Sequence, residues 1–304
     1  MTATDAMDEL KTLRDWLRWA VSRFTEGALF FGHGTDNAWD EAIWLLLATL
    51  KLPRDRLEVF IDARLTKAER LAVWQALEQR IARRLPTAYI VQEAWLGDFR
   101  FYVDERVIVP RSYFAELLAE GFSPWVADVG GVTSALDLCT GSGCLAVLMA
   151  HAFPNAQIDA IDLSPAALAV AKRNIADYGL NGIVQPIESD LFTAVAGKRY
   201  DLILSNPPYV TAEAMAALPM EYRHEPTLAL AAGEDGLDIV RRLLAEAADH
   251  LNTGGFIAIE VGHNREQVDM AFPGLAAIWL DTASSEEKIF LVGDEALRDY
   301  ARTH

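Results

Sequence analysis

The sequence predicts an α/β protein: a doubly wound, mostly parallel sheet of the Rossmann-like kind, preceded by a small helical domain and a linking β-hairpin. Three observations predict it. From about residue 133, apolar strands alternate with helical stretches, the rhythm of βαβ units. The first 85 residues instead carry apolar residues at helical spacing. The first strand of the alternating region runs into "TGSG", and an aspartate follows the first of those glycines by 21 positions. A tight turn with that acidic partner suits the mouth of a nucleotide-type site.

In "MDELKTLRDWLRWAVSRF", Leu10, Leu13, Leu17, Val21 and Phe24 share one face, with Trp16 and Ala20 beside them, so the spacing predicts one long helix. "AWDEAIWLLLATLKLP" predicts a buried helix ending at Pro53. "LTKAERLAVWQALEQRIARRLP" predicts a third, capped by Thr66 with Glu69 three residues on, and stopped at Pro86. The polar, Gly-rich "FFGHGTDNAWDEA" reads as an ordered loop, and His33 within it as a loop-ordering residue. The alternation in "TAYIVQEAWLGDFRFYVDERVIVP" predicts the hairpin. The expected division is therefore a helical domain over 1–86, a hairpin linker over 87–110 and an α/β domain over 111–304.

Within the α/β domain, "SALDLC", "QIDAID", "GIVQPIE", "YDLILS" and "GFIAIEV" read as strands, with "AAIWLD" and "KIFLVG" as two closing strands. "CLAVLMAHAF", "SPAALAVAKRNIADYG" and "DIVRRLLAEAADHL" read as the helices between them.

The longest apolar run, "AIWLLLATL", is too short to cross a bilayer, and "MTATDAMDEL" lacks the pattern of a secretory signal. The expected compartment is the cytoplasm. Cys139 and Cys144 have no matching Cys/His pair elsewhere, so neither a disulfide framework nor a zinc site is expected, and no metal. Of the net charge of −17, little arises before residue 110, where 15 Lys/Arg face 17 Asp/Glu; beyond it 12 face 27. Such acidity opposes binding to phosphate backbones and favours cationic partners.

"DLCTGSGC" spans Asp137 to Cys144, and Gly141 and Gly143 allow a tight turn into the next helix. Asp162 ends the second strand in "DAIDLSP", where Ser164 caps a helix with Pro165 at its first position. Asp162 is spaced to reach a ribose hydroxyl of an adenosine-containing cofactor. Residues 141–146 also fit the dinucleotide fingerprint. Asp137 favours S-adenosylmethionine, whose ammonium group it can meet directly or through water, over a pyrophosphate that it would repel. Asp190, in "ESDLF", is placed to accept from an adenine amino group or to cap a turn.

"YDLILS" then runs into Asn206-Pro207-Pro208-Tyr209. Two prolines cannot continue a buried ladder, and X-Pro geometry holds the corner stiff. The Asn206 side-chain oxygen and the Pro207 carbonyl become two fixed acceptors, matched to the two N–H bonds of a planar –NH₂ group. Holding both aims the nitrogen lone pair at a methyl carbon, and the Tyr209 ring can cover the developing positive charge. The pattern predicts methyl transfer to an amide or exocyclic amino nitrogen.

Taken together, "DLCTGSGC", "DAIDLSP", "SDLF" and "NPPYV" resemble the HemK/Prm family of class I S-adenosylmethionine-dependent methyltransferases, which act on a glutamine side-chain amide in a protein. The resemblance covers nearly the whole chain. It implies a class I methyltransferase sheet, a substrate-recognition role for the helical domain, and S-adenosylhomocysteine as the second product. Residue by residue it implies cofactor contacts at Asp137, Cys139, Thr140, Gly141, Gly143, Asp162, Leu163, Asp190, Leu191 and Asn206, and a catalytic corner of Asn206, Pro207, Pro208 and Tyr209. The family loop often reads D-L-G-T-G-S-G, where this chain has Cys139. "RWAVSRF", "GHGTDNAWDEA", "FYVDERVIVPRS" and "PMEYRHEPTLALAAGEDGL" resemble the branch acting on large-subunit ribosomal protein L three. The release-factor branch is the alternative, and a DNA or RNA amino methyltransferase is a second. The expected partner is a basic protein, with no sequence-specific nucleic-acid binding and no membrane, and the chain is expected to be a monomer. Substrate contacts are expected from Asn206, Pro207 and Tyr209 and, in the loop after the corner, from Tyr222, Arg223, His224 and Glu225. Arg111 is open between a ligand contact and a structural pin.

Overall fold

The computed structural model describes residues 3–303. The chain forms two compact units. One runs up to Ala94 and also takes in Pro219–His224; the other comprises Trp95–Leu218 and the chain from Glu225 on. The break at Ala94 falls inside the sequence-predicted linker, and the six-residue return of the chain to the first unit has no signature in the sequence.

The first unit is helical: Ala3–Glu9, Leu13–Glu26, Ala38–Thr49, Leu57–Phe60, Lys67–Ala82 and Thr87–Val91. The long helix predicted across residues 7–24 is two helices. Thr12 takes extended backbone and caps the second, accepting from the Asp15 N–H at 3.2 Å while the Asp15 carboxylate accepts from the Thr12 N–H at 2.8 Å. That reciprocal pair satisfies two donors of a helix start, and it interrupts an otherwise continuous apolar stripe. Thr66 and Glu69 make the same box at the head of Lys67–Ala82, as their spacing predicts. The apolar faces meet in a core that includes Trp16, Leu17, Phe24 and Leu45.

One charged cluster is sealed into this unit. Arg80, 1% exposed, donates to Glu41, to Glu221 at 3.2 Å and to the Phe30 carbonyl at 2.7 Å. Glu41 also accepts from Thr87 at 2.9 Å, and Glu221 from the Phe30 N–H at 3.1 Å and Arg84 at 3.3 Å. Burial pushes Glu221 toward protonation, but these donors outweigh it and hold its carboxyl below the usual range.

The second unit carries a seven-stranded sheet. After the hairpin strands β1 (Ala94–Leu96) and β2 (Phe99–Phe101) come β3 (Ser134–Leu138), β4 (Gln157–Asp162), β5 (Val184–Glu188), β6 (Tyr200–Ser205), β7 (Leu251–Glu260), β8 (Ile278–Leu280) and β9 (Ile289–Gly293). The sheet order is β5-β4-β3-β6-β7-β9-β8. The pairs from β5 to β7 are parallel, and β9 runs antiparallel to both of its neighbours. Pro186 sits in β5, an edge strand, where a missing N–H is tolerated. Leu136, Leu138, Ile203, Ile257 and Ile259 face one core, covered by Val240, Leu243 and Ala247 of the helix Asp238–Ala247.

The hairpin is shorter than the alternation over 87–110 predicts. Thr87–Val91 is helical, strand pairing covers only β1 and β2, and residues 102–112 have no regular structure. Side chains hold that stretch instead. Asn174, 1% exposed, accepts from the Tyr102 N–H at 2.8 Å and donates to the Tyr102 and Ser142 carbonyls at 3.0 and 2.8 Å. Alternation along the sequence cannot distinguish backbone paired to a strand from backbone paired to an asparagine.

Replacing Arg80 by Met leaves Glu41 and Glu221 buried without their cation. Loss of one partner of such a cluster costs about 3–5 kcal/mol. Urea unfolding followed by tryptophan fluorescence should show a shift of that size for Arg80→Met; a shift under about 1 kcal/mol would mean that solvent reaches the cluster.

Candidate active site

β3 delivers its last residue, Leu138, level with Ile161 of β4 and Ser205 of β6. The chain then turns at once. Cys139 takes φ +63, in the left-handed region, which costs a side-chain-bearing residue roughly 1–2 kcal/mol. This is the position where the family it resembles often has glycine. The turn is held from β4: the Thr140 N–H donates to the Ile161 carbonyl and the Gly141 N–H to Asp162, both at 2.8 Å. Gly143 has φ +78, and a Cβ there would lie 3.1 Å from that of Ala171. Glycine therefore lets the helix Cys144–Ala152 start hard against the helix Pro165–Asp177.

Asp137 is the penultimate residue of β3, just before this turn. It is fully buried, and its Oδ2 accepts from Thr140 Oγ1 at 2.5 Å and the Ala146 N–H at 3.0 Å. Its Oδ1 has no hydrogen-bond partner among the described residues. Burial pushes the carboxyl up to about 7, against the pull of those two donors. Asp162 accepts through Oδ2 from Gly141 and through Oδ1 from the Ser164 N–H, each at 2.8 Å. Burial raises its pKa too, while the N–H groups oppose the shift. Ser164 caps the following helix through Ala167, and Pro165 stands at its first position, as the sequence predicts. Burial, reinforced by Asp162, pushes the Cys139 thiol up to about 12. At neutral pH it is the thiol, not the thiolate.

A cleft of about 920 Å³, counted out to its open mouth, lies over the C-terminal ends of β3, β4 and β6. Of the sequence-predicted site residues, Cys139, Gly141, Asp162, Leu163, Asp190, Leu191, Asn206 and Pro208 line it. Asp137, Thr140, Gly143, Pro207 and Tyr209 are not in its lining. Asp190 receives a hydrogen bond from Arg242 at 2.8 Å, with both side chains about half exposed. Each Asp162 oxygen keeps acceptor capacity beyond its one N–H bond, enough for ligand hydroxyls. Leu163 and Leu228 are 52% and 57% exposed and both lie in the wall, leaving apolar surface for a flat ring to cover. These features fit the adenosine half of S-adenosylmethionine.

The Asn206–Tyr209 corner is fixed at both ends. Ser205 Oγ donates to the Leu138 carbonyl at 2.9 Å, tying β6 to β3 just before the turn. After it, the Val210 N–H donates to the Leu230 carbonyl at 2.9 Å, and the Val210 carbonyl accepts from Ala232 at 3.0 Å. Asn264 donates to the Tyr209 carbonyl at 2.7 Å. The Tyr209 ring lies so close over Gly262 that a Cβ there would be 2.8 Å from it.

The loop residues are separated. Tyr222 packs on His33, with centroids 4.4 Å apart, and on Phe30 at 5.7 Å. His224 Nε2 donates to the Arg83 carbonyl at 2.8 Å, and Arg223 is exposed. These three belong to the first unit and Glu225 to the second, where it is buried against Arg111. None of the four lines the cleft. No motif in the sequence singles out Arg106, Val107, Ile108, Pro226, Leu228 or Arg242, all of which line it. "ERVIVPRS" and "EPTLAL" contain Arg111 and Glu225, but Arg242 is an ordinary helix-surface arginine with no sequence signal.

A doubly wound sheet closed by one antiparallel strand, with this cleft over its parallel ends, defines a class I S-adenosylmethionine-dependent methyltransferase. The family described as "Methyltransferase small domain" matches residues 116–221, and that described as "PrmC N-terminal domain" matches residues 15–91. The chain is 54% identical to the ribosomal protein uL3 glutamine methyltransferase of Neisseria gonorrhoeae over 96% of this chain and 97% of that one. It is 53% identical to the protein of that name from Bordetella pertussis over 95% and 97%, and 48% identical to that from Bradyrhizobium diazoefficiens over 93% and 91%. The chain belongs to the family of ribosomal protein uL3 glutamine methyltransferases.

The buried Asp137 sets a pH dependence. Unfolded, its carboxyl titrates near 4; folded, at about 7. Between about pH 4 and 7 the folded chain holds more protons than the unfolded one, so stability falls as pH rises. Asp137→Asn keeps an acceptor for Thr140 and Ala146 but does not titrate. From about pH 5 to pH 8, denaturant titrations should show a smaller loss for Asp137→Asn than for the parent, by roughly 3 kcal/mol. Equal losses would contradict the raised pKa.

Proposed function

We propose that this chain transfers the methyl group of S-adenosylmethionine to the side-chain amide nitrogen of a glutamine in ribosomal protein uL3. The observation that carries this reading is the clamped Asn206–Tyr209 corner, which puts Asn206 and Pro208 into the same cleft wall as Asp162, in a chain whose relatives are named for that reaction.

S-adenosylmethionine, when bound, supplies an electrophilic methyl on a sulfonium. Asp162 would hold the ribose hydroxyls, and Asp190, steadied by Arg242, the adenine end. Leu163 and Leu191 offer apolar cover. Asp137 and Thr140 act behind the turn, keeping Gly141 in position for the approach of the cofactor. Asn206 and the Pro207 carbonyl accept the two amide N–H bonds. An amide nitrogen is a poor nucleophile because its lone pair is delocalised; gripping both N–H bonds favours the pyramidal, cationic form that develops during attack. The Tyr209 ring, packed over Gly262 beside the corner, would stabilise that charge. Once methylated, the nitrogen is acidic enough to lose its proton to water, so no side-chain base is required, and His224, held by the Arg83 carbonyl, is not one. Tyr222 and Arg223 are proposed to meet the protein substrate.

The partner is a basic protein; the net charge of −17 favours it over a nucleic acid. The same charge disfavours self-association, in keeping with a monomer. No helix among the described residues is long and apolar enough to cross a membrane, and the proposed compartment is the cytoplasm, where ribosomal proteins are made.

Incubation with tritiated S-adenosylmethionine and either purified uL3 or a peptide chain release factor tests the reading. Label should enter uL3 and add about 14 Da to it, the mass of one methylene; label confined to the release factor would move the enzyme to the sister branch. Asn206→Ala should lower turnover at least about 100-fold, as loss of a transition-state contact does, while S-adenosylhomocysteine still binds. Parental turnover in that variant would refute the mechanism.

A further inference from the structure

Two stretches outside the sheet supply much of the open wall of the cleft: Arg106, Val107 and Ile108 from one, and Pro226, Leu228 and Ala229 from the other. Residues 102–112 have no strand or helix, and the second stretch has a single 3₁₀ turn, Thr227–Ala229. Backbone outside a ladder needs other partners, and a single carboxylate, carried at the head of the second stretch, supplies one to the first. The Glu225 side chain is 0% exposed. It accepts from the Val109 N–H at 3.0 Å and, as a two-point fork, from Arg111 Nη1 at 2.5 Å and Nη2 at 2.6 Å. Arg111 Nη1 also donates to the Val109 carbonyl at 3.0 Å. The fork thus joins the residues just after Arg106–Ile108 to the residue just before Pro226. Two-point arginine–carboxylate pairs fix geometry as well as supplying energy.

We propose that the Arg111–Glu225 pair is a clasp that fastens two walls of the cofactor cleft to each other, and so sets how tightly and how long S-adenosylmethionine is held. The inference rests on the cleft being the cofactor site. It gives Arg111 and Glu225 a positioning role and takes Glu225 out of the set that grips the protein substrate: a fully buried carboxylate committed to three donors has no face to offer a second protein. The clasp works on the middle of the irregular strap 102–112, because the far end is anchored separately. Ser112 Oγ at 2.6 Å and the Tyr113 N–H at 3.1 Å both donate to Glu260 at the end of β7. Without the clasp, Arg106–Ile108 would keep Asn174 at Tyr102, the Val107 N–H on the Asp104 carbonyl and the local Asp104–Arg106 pair, but would lose its tie to the second stretch and open more often.

Arg111→Lys keeps the charge and loses the fork; Glu225→Gln keeps the shape and an acceptor for Val109. Binding of S-adenosylhomocysteine by titration calorimetry, its release by stopped flow, and separate KM values for S-adenosylmethionine and uL3 test the clasp. Both variants should bind S-adenosylhomocysteine about tenfold more weakly, mainly through faster release. The KM for S-adenosylmethionine should rise and that for uL3 stay within about twofold. Affinity within twofold of the parent in both variants, or a KM rise confined to uL3, overturns the clasp. A parent protein that fails to bind S-adenosylhomocysteine overturns the cofactor site itself, and the clasp with it. Circular dichroism checks folding; should Glu225→Gln not fold, Arg111→Lys decides alone.

Discussion

The parallel pairing of β3 with β4 on one side and β6 on the other is the constraint on which the site depends. Parallel strands end together, so Leu138, Ile161 and Ser205 stand at one level, and whatever follows each strand is delivered to the same edge. The glycine turn follows β3, Asp162 closes β4, and the Asn206 corner follows β6. Residues separated by up to about seventy positions become neighbours without any loop having to fold onto another. The arrangement also explains why the turn after β3 can tolerate Cys139 at φ +63: hydrogen bonds from Thr140 and Gly141 into the end of β4 over-determine the backbone there.

Irregular backbone around the site is held by buried carboxylates. Asp137 serves the glycine turn and the first turn of the next helix, Glu225 the strap at Val109–Arg111, and Glu260 the two residues beyond it. Each accepts from backbone N–H groups that have no ladder partner. Sealing acids inside a protein is costly unless donors surround them, and the outcome differs with the donors at hand. Burial pushes all three up; on Glu221 the Phe30 N–H and Arg80 outweigh it and the carboxyl stays below the normal range, whereas Asp137 and Glu260, each hydrogen-bonded through one oxygen, are pushed up to about 7.

The proposed role of the corner as a pair of acceptors for an amide accounts for its stiffness. A planar amide has to be bent toward a charged, pyramidal nitrogen, and a flexible pair of acceptors would follow the planar ground state as readily as the transition state. Proline geometry, the Ser205 tie to β3 and the Asn264 bond to Tyr209 remove that freedom before any substrate arrives.

Much of this was legible along the chain. The alternation of strands and helices, the Thr66–Glu69 and Ser164–Pro165 helix starts, and the spacing from Gly141 to Asp162 are local signals, set by a few neighbouring side chains and backbone preferences. The long helix that divides at Thr12 and the hairpin that stops at Phe101 were not legible, because one cap and one asparagine outweighed a periodic pattern. The placements of Glu221, Tyr222, Glu225 and Arg242 were not legible either. By itself the sequence determined the strand ends and the chemistry carried on each. Only the tertiary structure decided that Asp137 backs the turn without lining the cleft, that Glu221 and Glu225 belong to different units, and that Arg111 closes on Glu225. Hydrogen-bond partners more than a hundred positions apart are chosen by which buried donors lack acceptors, and that is known only once the chain is packed.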